Sequence, residues 1–204
     1  MSVSKNRGFF GVVAEPQSYL NIVYLLLAFP LGTFYFVFLV TGLSLGFGLI
    51  ITLVGIPILL LVLSGSWVLC RFERQVAITL LNEDIPLAVS GTASGGLWFR
   101  VKALLKDRVT WTGMLYLFMK FPLGIVTFTI AVTLIAVTVG LLAAPTYMWT
   151  SDSLVWGSRS FDPFPWSWIL TIIGIPMVFI SLHLLNAIAV VFGRMTRVML
   201  GKLQ

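Results

Sequence analysis

The side chains that could carry chemistry are few. The chain has one histidine, His183, and one cysteine, Cys70, and both lie in long apolar segments. These residues leave no cluster of metal ligands, and no Ser-His-Asp set or pair of catalytic carboxylates can be assembled from the apolar segments. His183 is a candidate ligand contact or proton-responsive switch, although a histidine bonded to a neighbouring helix, through Ser181 or Asn186, is the commoner arrangement. The sequence therefore predicts no enzymatic activity, no metal and no cofactor.

Lys120 is a second candidate ligand or switch residue, because it is the one charge in the apolar stretch from Tyr116 to Gly140. Burying a charge in a membrane is costly, so such residues are often functional. Lys120 also lies near the predicted cytoplasmic start of its membrane span, where a lysine side chain can extend to the lipid headgroups. The sequence favours this snorkelling arrangement.

Aromatic and acidic residues meet in the segment 144–166. Trp149, Asp152, Trp156 and Asp162 are its candidate ligand or switch residues. Aromatic rings at the boundary between water and lipid form an ordinary belt, which the sequence favours. An aromatic loop over a helical bundle can also be a lid over a ligand site.

Composition places these residues in a membrane protein. The mean hydropathy is +1.04, 59% of the residues are apolar and only 10% are charged. The uncharged stretch from Tyr19 to Cys70 is long enough for two spans. The predicted fold is an all-α integral membrane protein with four transmembrane helices, near 18–41, 49–71, 114–143 and 167–192.

Basic residues predict the orientation. If Lys120 is assigned to the side of the termini and of the linker 72–112, that side holds twelve of the 13 Lys and Arg residues, and only Arg159 lies opposite. Short basic segments stay in the cytoplasm, so both termini and the linker are predicted to be cytoplasmic in the cell membrane. The formal net charge of +6 then predicts contact with anionic lipids of the inner leaflet rather than with nucleic acid.

The chain contains an internal repeat. Tyr24–Gly32 recurs as Tyr116–Gly124, with six of nine residues identical, including Phe-Pro-Leu-Gly. Two further matches link 55–57 to 174–176 and 72–74 to 192–194. Each half starts inside and forms a helical hairpin, so a pseudo-two-fold axis along the membrane normal should relate the halves. The predicted parts are an N-terminal segment 1–18, a first repeat 19–74, a linker 75–112 and a second repeat 113–200 with the outer loop 144–166.

Prolines recur at paired depths in the two halves. Pro30, Pro57, Pro122 and Pro176 are predicted to kink the four helices, because proline removes a backbone hydrogen bond. Bent helices can open a cavity, as in many transporters. The sequence favours the simpler interpretation, in which the prolines shape the packing.

The linker offers the candidate docking surface. Glu73, where the second helix ends, can pair with Arg71 or Arg74 or cap a partner, and residues 97–108 are predicted to form a basic amphipathic helix. This helix either lies on the inner leaflet or binds a cytoplasmic partner. The candidate docking residues are Glu73, Arg74, Trp98, Arg100, Leu104 and Leu105.

The order of these motifs resembles the putative sensor domain family. The resemblance rests on the Tyr-Leu-Leu…Phe-Pro-Leu-Gly helix, the Thr41-Gly42-Leu43 turn, the Gly-Ile-Pro helix and the Phe72-Glu73-Arg74 exit, and it covers about 19–200. Members are four-helix membrane domains of bacteria and archaea that occur alone or fused to histidine kinases. The resemblance implies a sensory or regulatory module. The sequence up to Gln204 holds no kinase, ATPase or DNA-binding segment, which leaves the output open.

Three functions are considered for this sequence. The first is a non-enzymatic module that senses the bilayer or a small apolar ligand and acts through a protein partner or a homo-oligomer. The second is an accessory or structural subunit of a larger transport or energy-converting complex, or a small transporter. The third, a lipid-modifying enzyme, is disfavoured because His183 has no evident acid, metal or nucleophile beside it.

Overall fold

Four long helices form the protein. The computed structural model describes residues 9–82, 108–148, 154–156, 159–161 and 163–200. The long helices are α1 (Pro16–Gly48), α2 (Gly55–Leu81), α3 (Arg108–Leu142) and α5 (Pro163–Leu200). All four are long and apolar enough to cross a membrane, which confirms the predicted all-α membrane fold. With 33 residues, α1 is about 50 Å long and exceeds a hydrocarbon core of about 30 Å.

Short elements complete the described part of the chain. They are two 3-10 helices (Phe9–Ala14 and Ile50–Thr52), helix α4 (Ala144–Met148) and strands β1 (Leu154–Trp156) and β2 (Arg159–Phe161). The two strands pair antiparallel, with Val155 opposite Ser160. In the sequence this pair of strands lies between α4 and α5.

The helices pack as two hairpins. Hairpin 1 consists of α1 and α2, and its tight turn places Leu53 in the left-handed region at φ 60°. Hairpin 2 consists of α3 and α5. The starts of α1 and α3 and the ends of α2 and α5 lie together, and we call this the linker end because the segment between Leu81 and Arg108 leaves from it. A hydrogen bond of 2.7 Å from Gln17 Nε2 to the Leu80 carbonyl ties α1 to α2 there.

The buried residues of α1 and α3 follow one spacing. In α1 the buried stripe advances by alternating steps of three and four residues, which is the heptad spacing of helices that pack along their length. Each buried residue of α1 has a buried residue 92 positions later in α3. The pairs include Tyr24 with Tyr116 and Ala28 with Lys120. The two hairpins therefore present equivalent faces to each other.

The two hairpins cross where the repeated glycines lie. A Cβ atom on Gly32 would stand 2.8 Å from the Lys120 carbonyl oxygen, and one on Gly124 would stand 2.7 Å from the Ala28 carbonyl oxygen. Only glycine allows backbones to approach this closely. The contacts are reciprocal, which is the pattern that a two-fold relation between the halves produces.

Aromatic rings flank this crossing in the same reciprocal way. The rings of Phe36 and Phe121 stack with centroids 4.5 Å apart, and those of Phe29 and Phe128 lie 5.2 Å apart. Phe121 and Phe128 occupy the repeat positions of Phe29 and Phe36. The crossing is thus a compact, largely symmetric contact between α1 and α3.

The prolines differ in their positions along the helices. Pro30, Pro122 and Pro176 lie inside α1, α3 and α5. Pro57 is the third residue of α2, which begins only at Gly55. An N–H group in the first turn has no acceptor within the helix, so proline interrupts nothing there. The predicted kink at Pro57 is therefore not formed.

Candidate functional site

Glu73 lies inside the bundle, not on its surface. It has no exposed surface and shares the buried face of α2 with Ser66 and Ala77, at helical spacing. The sequence placed it in an exposed exit and made it a docking residue and a surface partner of Arg71 or Arg74. That assignment is wrong because α2 continues without a break to Leu81, which leaves Glu73 two turns before its end.

Lys120 is the partner of Glu73. The two side chains form a salt bridge through Lys120 Nζ and Glu73 Oε1, and neither has any exposed surface. Lys120 lies 12 residues, or about 18 Å, from the start of α3. The predicted snorkelling does not occur, because a buried carboxylate is in reach and the side chain turns towards it. The ion pair joins hairpin 1 to hairpin 2.

Three tyrosines surround the carboxylate. Tyr24 and Tyr116 donate to Glu73 Oε1 at 3.0 and 3.3 Å, and Tyr35 donates to Oε2 at 3.0 Å. All three phenol side chains are fully buried. Hydrogen bonds to a charged acceptor are stronger than neutral ones, so these donors offset part of the cost of burying the charge.

The ammonium of Lys120 has a second set of partners. Its Nζ lies 3.5 Å from the hydroxyl of Tyr24. It also lies 4.9 Å from the ring centroid of Tyr24 and 5.9 Å from that of Tyr35. Both distances fall within the range of about 6 Å in which an aromatic ring attracts a cation. Lys120 is thus held by one carboxylate and by two rings.

The fourth long helix joins the site through Thr196. Its hydroxyl lies 2.8 Å from that of Tyr116, and it donates to the Phe192 carbonyl at 2.9 Å. Tyr116 and Thr196 each have a single hydroxyl proton, so when Tyr116 donates to Glu73, Thr196 donates to Tyr116, and the bond from Thr196 to the Phe192 carbonyl is the alternative. We call these six residues the Glu73 cluster: Glu73, Lys120, Tyr24, Tyr35, Tyr116 and Thr196. The cluster draws side chains from all four long helices.

A second polar cluster lies closer to the linker end. Asn21 donates to Asn186 Oδ1 at 3.0 Å, and Asn186 donates to Ser18 at 2.9 Å. Gln17 donates to Asn21 at 3.0 Å. These amides bind α1 to α5 by side-chain hydrogen bonds. Asn186, a predicted partner of His183, is therefore engaged with α1.

His183 lies half-buried on α5. Ser181, its other predicted partner, shares a buried hydrogen bond of 2.9 Å with Thr138 of α3. Ser181 and Asn186 thus each bind a side chain of another helix, and their contact with His183 stays a prediction. Arg74 is half-buried beside Glu73, and Arg71 lies exposed with its guanidinium 3.4 Å from the ring centroid of Trp67.

Several predicted residues lie outside what the structure describes. Trp156 belongs to β1, of which only the backbone is described. The others fall in the undescribed segments and stay predictions: Trp98, Arg100, Leu104, Leu105, Trp149, Asp152 and Asp162.

The Glu73 cluster is an enclosed ion pair whose hydrogen-bond partners all come from the protein itself. Within the described ranges, no three His, Cys, Asp or Glu residues group as metal ligands. Both oxygens of Glu73 accept hydrogen bonds from buried donors.

Sequence reasoning missed the three tyrosines and Thr196. One signal pointed to them, since Tyr24 and Tyr116 occupy equivalent positions of the repeat and the second copy carries Lys120 four residues later. Residues four apart lie on one helix face. The repeat thus placed a phenol and a cation on the same buried face of α3.

Comparison with known protein families identifies the chain. A family described as "Putative sensor" matches residues 24–200, a range that includes every member of the Glu73 cluster. No curated protein and no solved structure matches the chain. Because the match covers most of the sequence and reaches into all four long helices, the protein belongs to the Putative sensor family.

Proposed function

We propose that the protein is a non-enzymatic membrane sensor that responds to the bilayer or to a small apolar ligand and acts through a protein partner. The observation that supports a sensing role is the match of residues 24–200 to the Putative sensor family. The finer points, a partner and the lack of catalysis, are supported by the site and by the sequence of the linker.

The Glu73 cluster supports a conformational role. Its ion pair is enclosed between two hairpins, and its partners come from four helices. A buried ion pair contributes little net stability, because desolvation opposes the Coulomb attraction. Its loss or rearrangement is nevertheless costly, which favours one relative position of the hairpins over others. Sensors need such a preferred state, against which a signal can act.

The linker end is the proposed output. Glu73 lies eight residues before the end of α2, and Lys120 lies 12 residues after the start of α3. The segment between these helices contains the predicted docking residues Trp98, Arg100, Leu104 and Leu105. A shift of α2 against α3 would move both ends of this segment. We place this end in the cytoplasm, with its basic residues near the anionic inner leaflet.

Co-purification from native membranes tests the proposal. Tagged wild-type protein is extracted in mild detergent with the variants Leu104→Asp and Ala103→Asp, and bound proteins are identified by mass spectrometry. Both variants add one negative charge, but Ala103 lies on the opposite face of the predicted amphipathic helix. We expect a stoichiometric regulatory partner that Leu104→Asp loses and Ala103→Asp keeps.

Other outcomes decide against the proposal. Equal recovery of every partner with all three proteins would remove the linker as the docking surface. Stoichiometric subunits of a transporter or an energy-converting complex would instead identify an accessory subunit.

A further inference from the structure

Hairpin 1 contains the components of a receptor for an ammonium group. Tyr24 and Tyr35 of α1 direct their rings and hydroxyls to one point, and Glu73 of α2 supplies a carboxylate there. Aromatic faces combined with an anion are the groups that proteins use to bind alkylammonium ligands. We call these three residues the ammonium site. All of them belong to hairpin 1.

The occupant of the ammonium site comes from hairpin 2. Lys120 of α3 places its Nζ between Glu73 and the rings of Tyr24 and Tyr35. A lysine side chain is a butylammonium group attached to the backbone. The contact therefore has the form of a ligand bound to a receptor, with the ligand tethered to the opposite hairpin.

The two halves of the repeat differ at the residues that form this ion pair. At the position of Lys120, hairpin 1 has Ala28, and at the position of Glu73, hairpin 2 has Gly193. The position of Tyr35 is occupied by Thr127, which bonds a carbonyl of its own helix. The crossing of the two hairpins is thus symmetric, but the ion pair beside it is not, because hairpin 1 has the ammonium site and hairpin 2 has the ammonium group.

The backbone of Lys120 is also part of the crossing. Its carbonyl oxygen faces Gly32, and this close contact between α1 and α3 is reciprocated at Gly124. The crossing packs the backbone of α1 on that of α3, whereas the ion pair connects α2 to α3 through side chains. Release of the ammonium would leave the contact between α1 and α3 in place and remove the ion pair that holds α2 against α3.

We propose that Tyr24, Tyr35 and Glu73 form a binding site for primary alkylammonium groups, that Lys120 is its tethered occupant, and that occupancy holds α2 of hairpin 1 against α3 of hairpin 2. The proposal relies on the sensing function only for its output. Ammonium binding and the closure of α2 on α3 are measured without any partner protein. The outcome of these experiments is therefore independent of the outcome of the co-purification experiment.

Replacement of the tethered ligand by a free one tests the binding site. Lys120→Ala removes a fragment equivalent to n-propylammonium. We expect that added n-propylammonium stabilises this variant saturably, with about a tenfold gain in the folded-to-unfolded ratio at about ten times its Kd. The neutral probe 1-propanol should have no such effect. The wild type, whose site is filled, should not respond to n-propylammonium.

The variant Glu73→Gln/Lys120→Ala is the matched control. It keeps the space left by the lysine and lacks the carboxylate, so it should not respond to n-propylammonium. An equal response of both variants, or no response of a folded Lys120→Ala protein, would overturn the ammonium site.

A disulfide measures the closure and does not require Lys120→Ala to fold. A Cβ atom on Gly113 of α3 would lie 3.9 Å from the Cβ of Cys70 on α2, close to the mean of about 3.8 Å in disulfides. Gly113→Cys therefore creates one cysteine pair between the hairpins. Equilibration with reduced and oxidised glutathione gives the effective concentration of the two thiols.

We expect this effective concentration to fall about tenfold when Glu73→Gln/Lys120→Met is added, within the usual range for coupled sites. The control pair lies within hairpin 1. A Cβ on Gly42 would lie 3.6 Å from the Cβ of Val62, so Gly42→Cys/Val62→Cys/Cys70→Ser joins α1 to α2. Its effective concentration should not change. An unchanged value for the pair between hairpins, or an equal fall in both, would refute the closure.

Discussion

Removal of the Lys120 charge should destabilise the protein more than removal of the whole ion pair. Lys120→Met keeps most of the side-chain volume and leaves Glu73 without its cation in a fully buried position. Breaking a buried pair by removing one partner costs about 3–5 kcal/mol. Glu73 still accepts hydrogen bonds from Tyr24, Tyr35 and Tyr116, which places the expected loss near the lower value, about 3 kcal/mol. That loss is a factor of roughly 100 in the folded-to-unfolded ratio.

The double variant Glu73→Gln/Lys120→Met should regain most of this loss. Without a charge to desolvate, the site becomes a neutral amide with three phenol partners, and replacement of buried pairs by neutral groups is often close to neutral. The assay is reversible unfolding in mixed micelles, followed by circular dichroism. Arg71→Met, which removes a cation at the exposed surface, is the control and should change the free energy of unfolding by about 1 kcal/mol or less. A double variant as unstable as Lys120→Met, or an unaffected Lys120→Met protein, would refute this account of the pair.

Three further predictions follow from other contacts and from topology. Tyr35→Phe leaves Glu73 Oε2 without its phenol donor and should cost about 1.5–3 kcal/mol in the same assay, whereas Tyr19→Phe, which loses an exposed hydrogen bond, should be nearly neutral; equal effects would argue against the site. Gly32→Ala should cost about 1–3 kcal/mol because its Cβ meets the backbone of Lys120, and Gly48→Ala, where nothing lies within 4 Å, is the control that should stay unaffected. Cysteines at positions 91 and 153 in a Cys70→Ser background should react with an impermeant maleimide from opposite sides of the membrane, and labelling from the same side would contradict the four-span topology.

Hydropathy predicted the four spans but not the length of the helices. The apolar run of α2 stops at Arg71, where the predicted span ends, yet the helix continues for ten residues to Leu81. Backbone hydrogen bonds continue through polar residues, whereas hydropathy follows side chains alone. The sequence therefore placed Glu73 at the exposed exit of the second helix, and this one error concealed both the ion pair and the role of Lys120.

Prediction of the site also required knowledge of which helices pack against each other. The repeat identified Tyr24, Gly32 and their equivalents, and the structure places these residues at the contact between the hairpins. Which hairpin faces which could not be read from the repeat. Tyr35 carries no sequence signal, because its repeat position holds Thr127, and its role depends on the inward turn of Glu73 from α2.

The unequal division of charge between the halves also bears on assembly between molecules. Two copies of hairpin 1 could cross through Gly32 and the neighbouring phenylalanines, but they would bury two carboxylates without a cation. Two copies of hairpin 2 would bury two ammonium groups without a carboxylate. Like charges in such a contact cost several kcal/mol, which discriminates against both homotypic pairings. Hairpin 1 is thereby restricted to pairing with hairpin 2. If hairpins of two different chains pair during membrane insertion, this ion pair forms only between hairpin 1 of one chain and hairpin 2 of the other.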